Sequence, residues 1–271
     1  MSTKVSEMTG ILDGIEYFIF DVDGTLLLGK EALDFATELI KLLQRKGVSF
    51  TILSNNSSYS INENKARLED VLEVEINDEN IFTSTHATIE FLQKNDITNC
   101  YILGTNGLIS DLSKNGIQNC SENPQAIILG FDTSLTYKKI KQTALLLQKP
   151  ERIPFYATHP DDTCPTEEGE IPDVGSFLKM FEQATGRTAD AFFGKPSTLI
   201  LNSCLSKASV KPSKVLVIGD RLETDIKMAN SVGAKSALVL TGETTLEDVE
   251  KSKMSPTVVW DNLEELYKSL Q

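Results

Sequence analysis

The sequence predicts an α/β fold, with a Rossmann-like core built on a parallel sheet and a second, smaller α/β domain. The first observation is a repeated alternation of short apolar strands with amphipathic helices, which is typical of parallel βαβ units. The second is length, because 271 residues exceed the usual single-domain size of about 100 to 150 residues. With 40% hydrophobic and 24% charged residues, the chain has the composition of an ordinary folded protein.

The first part of the chain contains a strand–helix–strand unit. An apolar run predicts a buried strand over residues 15–20, and a second strand is expected over residues 48–53. Between them, apolar residues at the spacing of one helical face predict a helix from about residue 31. Gly47 is suited to end that helix, because glycine adopts the left-handed conformation common just after a helix.

The alternation continues to the end of the chain. Ser60 and Glu63 have the spacing of a capping box, which predicts a further helix through residue 71. Residues 158–176 contain three prolines, two glycines and six acidic residues, so this segment is expected to be a loop or hinge. The other predicted elements are strands near residues 100–103, 126–131, 153–157, 214–218, 236–240 and 257–260, and helices over 137–148, from 196, over 223–231 and at the C-terminus.

Composition and charge exclude several classes of partner. A net charge of −13 argues against nucleic acid, because binding requires a basic face that displaces counterions. No apolar run approaches the roughly 18 to 20 residues that span a bilayer. The N-terminus lacks the apolar segment of a secretion signal, so a cytoplasmic location is expected. The four cysteines form no C-x-x-C pair, which argues against a zinc site and for reduced thiols.

Two aspartates follow the first predicted strand. Asp21 and Asp23 come directly after an apolar run and just before Gly24, where side chains emerge at the carboxyl edge of a parallel sheet. If the chain is extended here, the two-residue spacing directs both carboxylates to one side. Crowded carboxylates repel each other, so a proton or a cation must neutralise one of them. Alone, the same pattern is also a common turn sequence.

Further polar residues occur where other strands end or helices begin. Ser54 and Asn55 offer a hydroxyl and successive backbone N–H groups to a phosphate, and Lys195 offers a positive charge. Asp220 ends another strand and Asp225 follows one helical turn later, and together they suit a magnesium ion. Each residue alone could be an ordinary turn or surface residue. Their joint occurrence in this order favours a functional site.

These segments resemble the four motifs of the haloacid dehalogenase (HAD) superfamily of phosphohydrolases. The matching segments are residues 20–25, 53–58, 194–196 and 219–225. Their form and spacing look like the NagD-like and 4-nitrophenylphosphatase branch, which carries a large α/β cap between the second and third motifs. The resemblance implies a hydrolase core of residues 1–85 and 184–271 and a cap of residues 86–183 that selects the substrate.

The resemblance also implies a function and a role for each motif residue. The chain is expected to be a magnesium-dependent phosphatase that hydrolyses small phosphomonoesters, such as sugar phosphates or nucleotides, and artificial aryl phosphates such as 4-nitrophenyl phosphate. An aspartyl phosphate would form during turnover. The implied roles are Asp21 as nucleophile, Asp23 as general acid and base, Ser54, Asn55 and Lys195 as phosphate-binding residues, and Asp21, the Asp23 backbone carbonyl and Asp220 as Mg²⁺ ligands, with Asp225 supporting the ion indirectly.

The predicted cap leaves alternatives open. Residues 157–161 resemble the cap loop that faces the active site in this branch, where asparagine is common at the position of His159. His159 is therefore a candidate specificity residue, although a histidine before proline is also an ordinary loop residue. The chain is also a candidate for a homo-oligomer in which the caps form the interface. One rival function is a phosphomutase, which in this superfamily typically carries a smaller cap placed before the second motif. The other is a non-hydrolytic phosphoacceptor module, which would need neither an acid and base at Asp23 nor a cap.

Overall fold

The computed structural model describes residues 10–166 and 168–271, and the chain divides into two compact units. The core unit comprises the described residues up to Ser54 together with Lys65–Phe82 and Cys204–Gln271, and the second unit comprises Asn55–Asn64 and Thr83–Ser203, apart from residue 167. The predicted cap, residues 86–183, lies within the second unit. None of the four cysteines, all in the described part, forms a disulfide. No helix of the described residues is long and apolar enough to cross a membrane.

A six-stranded sheet forms the core unit. Its strands, in spatial order, are β15 (Val258–Trp260), β14 (Lys235–Val239), β13 (Val215–Gly219), β1 (Tyr17–Phe20), β4 (Ser49–Ser54) and β5 (Ile81–Thr83). Strand β1 pairs in parallel with both β4 and β13, and β14 pairs in parallel with both β13 and β15. If these six strands are renumbered 1 to 6 in chain order, their order across the sheet is 6-5-4-1-2-3, which is the doubly wound order of Rossmann folds. The predicted Rossmann-like core is confirmed.

The buried strands explain why the sequence forms this sheet. All residues of β1 and β13 are buried, so both faces of these strands are covered. Parallel strands of this kind appear in the sequence as continuous apolar runs. The helices that lie wholly or partly in the core unit are α1 (Ala36–Lys46), α2 (Ile61–Leu72), α7 (Thr198–Ala208), α8 (Lys227–Val232), α9 (Leu246–Lys251) and α10 (Glu264–Leu270).

The second unit has its own parallel sheet of five strands. In spatial order these are β12 (Ala191–Phe192), β9 (Phe155–Ala157), β8 (Ala126–Leu129), β6 (Asn99–Leu103) and β7 (Gln118–Asn119). Its helices are α3 (Ser84–Lys94), α4 (Asn106–Lys114), α5 (Tyr137–Leu147) and α6 (Val174–Thr185). A core that includes Phe155 and Phe181 fills one face of this sheet. Both units are therefore α/β, as the sequence predicts.

Some predicted elements differ from those observed. The helix expected from residue 31 begins at Ala36, because Leu27–Leu28 and Glu31–Ala32 form a small antiparallel hairpin, β2 and β3, around Gly29. The glycine has φ 62°, which the turn between the strands requires. The capping box of Ser60 and Glu63 is confirmed, with the Ser60 N–H donating to the Glu63 carboxylate at 2.7 Å.

The segment predicted as a loop contains a second hairpin. Strands β10 (Thr163–Thr166) and β11 (Gly169–Pro172) pair in antiparallel fashion, and helix α6 begins at Val174. Both strands are largely exposed, so no alternation of apolar and polar residues reveals them in the sequence. The helix expected over 223–231 begins as a π-helical turn, Leu222–Ile226, before continuing as α8.

Candidate active site

Two of the predicted aspartates follow neighbouring strands of the core sheet. Asp21 follows β1 and Asp220 follows β13, and the Asp21 N–H donates to the Ile218 carbonyl at 2.9 Å. The strand order reverses between β1 and β13, and open α/β sheets bind ligands outside the carboxyl ends of the strands at such a point. Asp225 lies on the π-helical turn that follows. Oxygens of the three carboxylates lie within 4.8 Å of one another.

The three carboxylates are almost completely removed from solvent. Asp21 is 9% exposed, and Asp220 and Asp225 are each 1% exposed. Burial, together with the negative charges of Asp21 and Asp225, raises the pKa of Asp220 to about 8, against the smaller opposing effects of the Glu243 N–H and Arg221. Such a cluster must be neutralised by a proton or by a cation.

The donor set fits a hard divalent cation. Asp220 Oδ1 is buried and has no hydrogen-bond partner among the described residues, whereas Asp220 Oδ2 accepts from the Glu243 N–H at 2.7 Å. All the side-chain ligands on offer are carboxylate oxygens, which cations such as Mg²⁺ and Ca²⁺ prefer. One oxygen of a buried carboxylate is therefore available to a cation, while the other orients the group.

Glycines keep the space around Asp220 open. A Cβ at Gly24, whose φ is +85°, would lie 2.5 Å from Asp220 Oδ2, and a Cβ at Gly242 would collide with the same oxygen. A third glycine, Gly219, leaves room for Asp225, because a Cβ there would meet the Asp225 carboxylate. These glycines allow the backbone to approach the carboxylates more closely than any other residue would permit.

The π-helical turn directs Asp225 inward. Asp225 Oδ2 accepts from the Arg221 N–H at 3.3 Å and from the Thr224 hydroxyl at 3.2 Å. A π-turn adds one residue to a helical turn, and such turns are frequent at functional sites. The sequence predicts Asp225 as a member of the cluster, and the structure brings its carboxylate to Asp21 and Asp220.

Asp23 has a partner that the sequence did not reveal. The Arg67 guanidinium lies 2.9 Å from Asp23 Oδ1 and also donates to the Gly29 carbonyl at 3.1 Å. The Asp23 side chain is 36% exposed. Arg67 comes from helix α2, 44 residues along the chain, so no local spacing connects it with Asp23. Its contacts hold the Asp23 carboxylate against the hairpin that follows β1.

Ser54 is the last residue of β4, the other neighbour of β1. Phe20 is level with Ile52 in the parallel register, so β1 and β4 end at the same edge of the sheet. Ser54 is 5% exposed. The core unit thus contains Asp21, Asp23, Ser54, Asp220 and Asp225 at the carboxyl ends of adjacent strands.

The remaining predicted residues belong to the second unit, where Asn55 and Lys195 contact each other. The Lys195 N–H donates to Asn55 Oδ1 at 2.7 Å, and Asn55 Nδ2 donates to the Lys195 carbonyl at 3.0 Å. Asn55 Nδ2 also donates to Asp161 Oδ2 at 2.9 Å. Asn55 is 9% exposed and Lys195 is 4% exposed. The sequence identifies Asn55 and Lys195 and includes Asp161 in the loop of residues 157–161, but it does not anticipate the hydrogen bond between Asn55 and Asp161.

His159 is held at both ring nitrogens within the second unit. Nδ1 lies 3.0 Å from the Thr158 hydroxyl and Nε2 lies 3.1 Å from Asp173 Oδ1, and the side chain is 1% exposed. Burial lowers the pKa of His159, but the Asp173 hydrogen bond and the charges of Asp161 and Asp173 outweigh it and raise that pKa above its ordinary value, against a small opposing effect of Lys195. A specificity role for His159 stays a prediction.

Comparisons with known protein families are consistent with this site. A family model described as haloacid dehalogenase-like hydrolase matches residues 18–118, and a second, HAD-hydrolase-like model matches residues 192–266. The chain is 30% identical over 250 residues to the 5'-nucleotidase YutF of Bacillus subtilis, covering 92% of this chain and 96% of that protein. It is 31% identical over 249 residues to an acid sugar phosphatase of Staphylococcus haemolyticus, covering 91% and 93%.

Solved structures of phosphatases have the same fold over nearly the whole chain. A 4-nitrophenylphosphatase from Thermotoga maritima superposes with a TM-score of 0.91 at 38% identity, covering 96% of this chain and 99% of that chain. A glycerol phosphate phosphatase from Mycobacterium tuberculosis, solved in complex with magnesium, gives a TM-score of 0.86 at 26% identity, covering 95% and 78%.

Proposed function

The chain belongs to the haloacid dehalogenase-like hydrolases and is a phosphatase of the NagD and 4-nitrophenylphosphatase type, and from this premise we propose that it hydrolyses small phosphomonoesters through an aspartyl phosphate, with magnesium as cofactor. The observation that carries the proposal is the buried cluster of Asp21, Asp220 and Asp225. It joins a carboxylate suited to nucleophilic attack with ligands suited to a hard cation.

Asp21 is the proposed nucleophile. In the first half-reaction a bond forms between an Asp21 carboxylate oxygen and phosphorus, while the bond between phosphorus and the leaving oxygen breaks. In the second, a water molecule attacks phosphorus and restores the Asp21 carboxylate. The hydrogen bond from the Asp21 N–H to Ile218 fixes the backbone of the nucleophile on the sheet.

Asp23 is the proposed acid and base for both half-reactions. Protonated Asp23 gives its proton to the leaving oxygen, and the resulting carboxylate then takes a proton from the attacking water. One carboxyl group can serve both steps because the second half-reaction reverses the proton transfer of the first. Arg67, at 2.9 Å, orients the carboxylate form of Asp23 between the two steps.

Charge neutralisation explains the other members of the site. Two unit charges 4 Å apart interact by about 4 kcal/mol at an effective dielectric constant of 20, so carboxylates would repel a phosphate dianion. Magnesium, when bound, supplies positive charge that offsets this repulsion. The same charge also stabilises the negative charge that develops in the transition state. The proposed ligands are the carboxylates of Asp21 and Asp220 and the Asp23 carbonyl, with Asp225 in support. The proposed phosphate-binding residues are Ser54, Asn55 through its backbone N–H, and Lys195.

The relatives support a small phosphomonoester as substrate. They include proteins described as a 5'-nucleotidase, an acid sugar phosphatase, a glycerol phosphate phosphatase and a 4-nitrophenylphosphatase. These substrates share the phosphate ester and differ in the leaving group. We therefore propose a sugar phosphate, a nucleotide or a similar small metabolite for this chain, with selection of the leaving group by the predicted cap, residues 86–183.

Phosphate release from purified protein tests the proposal. We expect steady hydrolysis of 4-nitrophenyl phosphate with Mg²⁺, loss of hydrolysis with a chelator, and a higher kcat/KM for at least one member of a panel of sugar phosphates and nucleotides. A single labelling of the protein without turnover would instead support a phosphoacceptor module and contradict the proposed hydrolysis.

A further inference from the structure

We propose that the Asn55 side chain is a positioning residue for Lys195, at the centre of a latch that joins three loops of the second unit. The latch consists of residues 55–57, 158–161 and 194–195. This inference rests on the proposed function, in which Lys195 binds the phosphoryl oxygens. In this inference the Asn55 carboxamide forms its hydrogen bonds with other groups of the protein and not with the substrate.

The Asn55 carboxamide holds both polar backbone groups of Lys195. Its oxygen accepts from the Lys195 N–H at 2.7 Å, and its nitrogen donates to the Lys195 carbonyl at 3.0 Å. The side chain thus pairs with Lys195 as a neighbouring strand would, across 140 residues of sequence. Fixing the two peptide groups that flank the Lys195 Cα also fixes the direction in which its side chain leaves the backbone.

These contacts use all the N–H groups of the Asn55 side chain. A carboxamide nitrogen has two hydrogens, and here one is donated to the Lys195 carbonyl and the other to Asp161 Oδ2 at 2.9 Å. The bond to Asp161 is made to a carboxylate, and charge-assisted bonds of this kind are roughly twice as strong as neutral ones. The Asn55 side chain therefore has no further N–H to offer to a phosphate.

Close backbone approach makes the latch compact. The Gly194 N–H donates to the Thr158 carbonyl at 2.6 Å. A Cβ at Gly194 would lie 2.8 Å from the same carbonyl oxygen and would collide with Asn55 Oδ1. Only glycine lets the residue before Lys195 approach the other two loops this closely.

The loop that supplies Asp161 is itself anchored. The Thr158 hydroxyl lies 2.9 Å from the Ser57 hydroxyl and 3.0 Å from His159 Nδ1, and His159 Nε2 lies 3.1 Å from Asp173. All four of these side chains are buried. His159 thus stabilises the latch indirectly, because it anchors the loop in which Asp161 accepts the hydrogen bond from the Asn55 amide.

A fixed Lys195 should matter for catalysis. A lysine has a flexible four-carbon stem, so the position of its ammonium group depends strongly on the backbone that carries it. A displacement of about 1 Å in a catalytic constellation can cost about 100-fold in rate. Loss of the Asn55 carboxamide should therefore reduce the contribution of Lys195 to the catalytic rate, although Lys195 itself is still present.

A double-mutant cycle tests this dependence with 4-nitrophenyl phosphate as the substrate. We expect Asn55→Ala to lower kcat/KM about 10- to 100-fold in the wild-type background, and less than about threefold in the Lys195→Met background. Asn64→Ala is the matched control, because Asn64 is a buried asparagine of the second unit whose side chain donates to the nearby carbonyls of Tyr59 and Ser60. Equal losses in both backgrounds would show that Asn55 acts independently of Lys195 and would overturn the proposal.

A second variant guards against simple unfolding. Asn55→Asp keeps the size of the side chain but places a carboxylate against Asp161 and the Lys195 carbonyl, so kcat/KM should fall. Adding Asp161→Asn returns an amide donor to the pair, and we expect it to recover at least about threefold of that loss at an unchanged Tm. No recovery in the double variant, or a loss that follows Tm alone, would contradict a positioning role.

Failure of the latch can be told from failure of the proposed function. A wild-type protein that releases no phosphate from any ester would refute the function. The latch would then be tested by calorimetric binding of inorganic phosphate. Asn55→Ala should weaken that binding in the wild-type background but not in the Lys195→Met background, and equal weakening in both would refute the latch.

Discussion

At the scale of single residues, Asp220 combines burial with crowding. The side chain is 1% exposed, and Asp21 and Asp225 both face it, so its pKa is raised to about 8 in the absence of a cation. A cation that occupies the cluster must displace the proton that Asp220 otherwise holds. Cation binding and protonation therefore compete at the same oxygens, and each should be visible in the stability of the protein.

This competition predicts the pH dependence of stability without a cation. The folded protein binds the Asp220 proton more tightly than the unfolded chain does, so this contribution is lost as the pH rises towards about 8. In a chelator, Tm should fall between about pH 5 and about pH 8, and Mg²⁺ should raise Tm more at the higher pH. His159 contributes a slope of the same sign, because its pKa is also raised.

The Asp220→Asn variant separates the two contributions. An amide at this position does not titrate, so thermal unfolding of the variant should retain only the shallower slope that His159 and other groups cause. A slope as steep as that of the wild-type protein would contradict the assignment to Asp220.

Arg67 gives a second prediction at this scale. Arg67→Ala removes the partner that orients Asp23, so kcat/KM should fall about tenfold. Tm should change little, because partly exposed ion pairs contribute about 0 to 1 kcal/mol. Lys65→Ala is the control, since Lys65 lies on the same helix as Arg67 and forms an exposed ion pair with Asp78. Equal activities of the two variants would exclude a role for Arg67 in the reaction.

At the scale of elements, the site residues that could be predicted from the sequence are those at the ends of strands. Asp21, Ser54 and Asp220 could be predicted because each follows a buried apolar run, and parallel strands end at one edge of a sheet. The Arg67–Asp23 pair could not, because it joins segments 44 residues apart. The same holds for Gly242 beside Asp220, which is a matter of packing alone.

Strand pairing away from the carboxyl edge should affect stability without affecting activity. The Tyr17 hydroxyl, at the first residue of β1, lies 2.7 Å from the buried Thr51 hydroxyl of β4, which in turn donates to the Glu79 carbonyl. Tyr17→Phe removes one buried hydrogen bond and should lower the free energy of unfolding by about 1 kcal/mol. Chemical denaturation should show this loss at an unchanged kcat/KM, and a fall in kcat/KM would contradict the separation.

At the scale of the whole molecule, the fold was predictable and much of the second unit's internal network was not. Two α/β units and a Rossmann-like core follow from the alternation of strands and helices, and the structure confirms both. The exposed hairpin of β10 and β11 carries no apolar pattern, and the contacts of Asn55 with Lys195 and Asp161 span more than 100 residues. The domain boundaries at residues 85 and 184 stay a prediction.

The net negative charge of the protein makes the positive groups of the proposed site essential. With a formal charge of −13, the protein as a whole repels a phosphorylated metabolite. In the proposed site, the positive charge that offsets this repulsion comes from Lys195 and a bound cation. Removal of either should reduce kcat/KM far more than removal of an exposed lysine elsewhere.

The central claim is that Asp21 is the nucleophile, and the turnover of Asp21→Asn tests it most directly. The amide is nearly isosteric with the carboxylate, so the variant should retain the fold and should form no aspartyl phosphate. We expect its hydrolysis of 4-nitrophenyl phosphate to fall by at least about 1,000-fold, as for loss of other catalytic nucleophiles. Hydrolysis at more than a few per cent of the wild-type rate, in a pure preparation with Mg²⁺, would contradict the account.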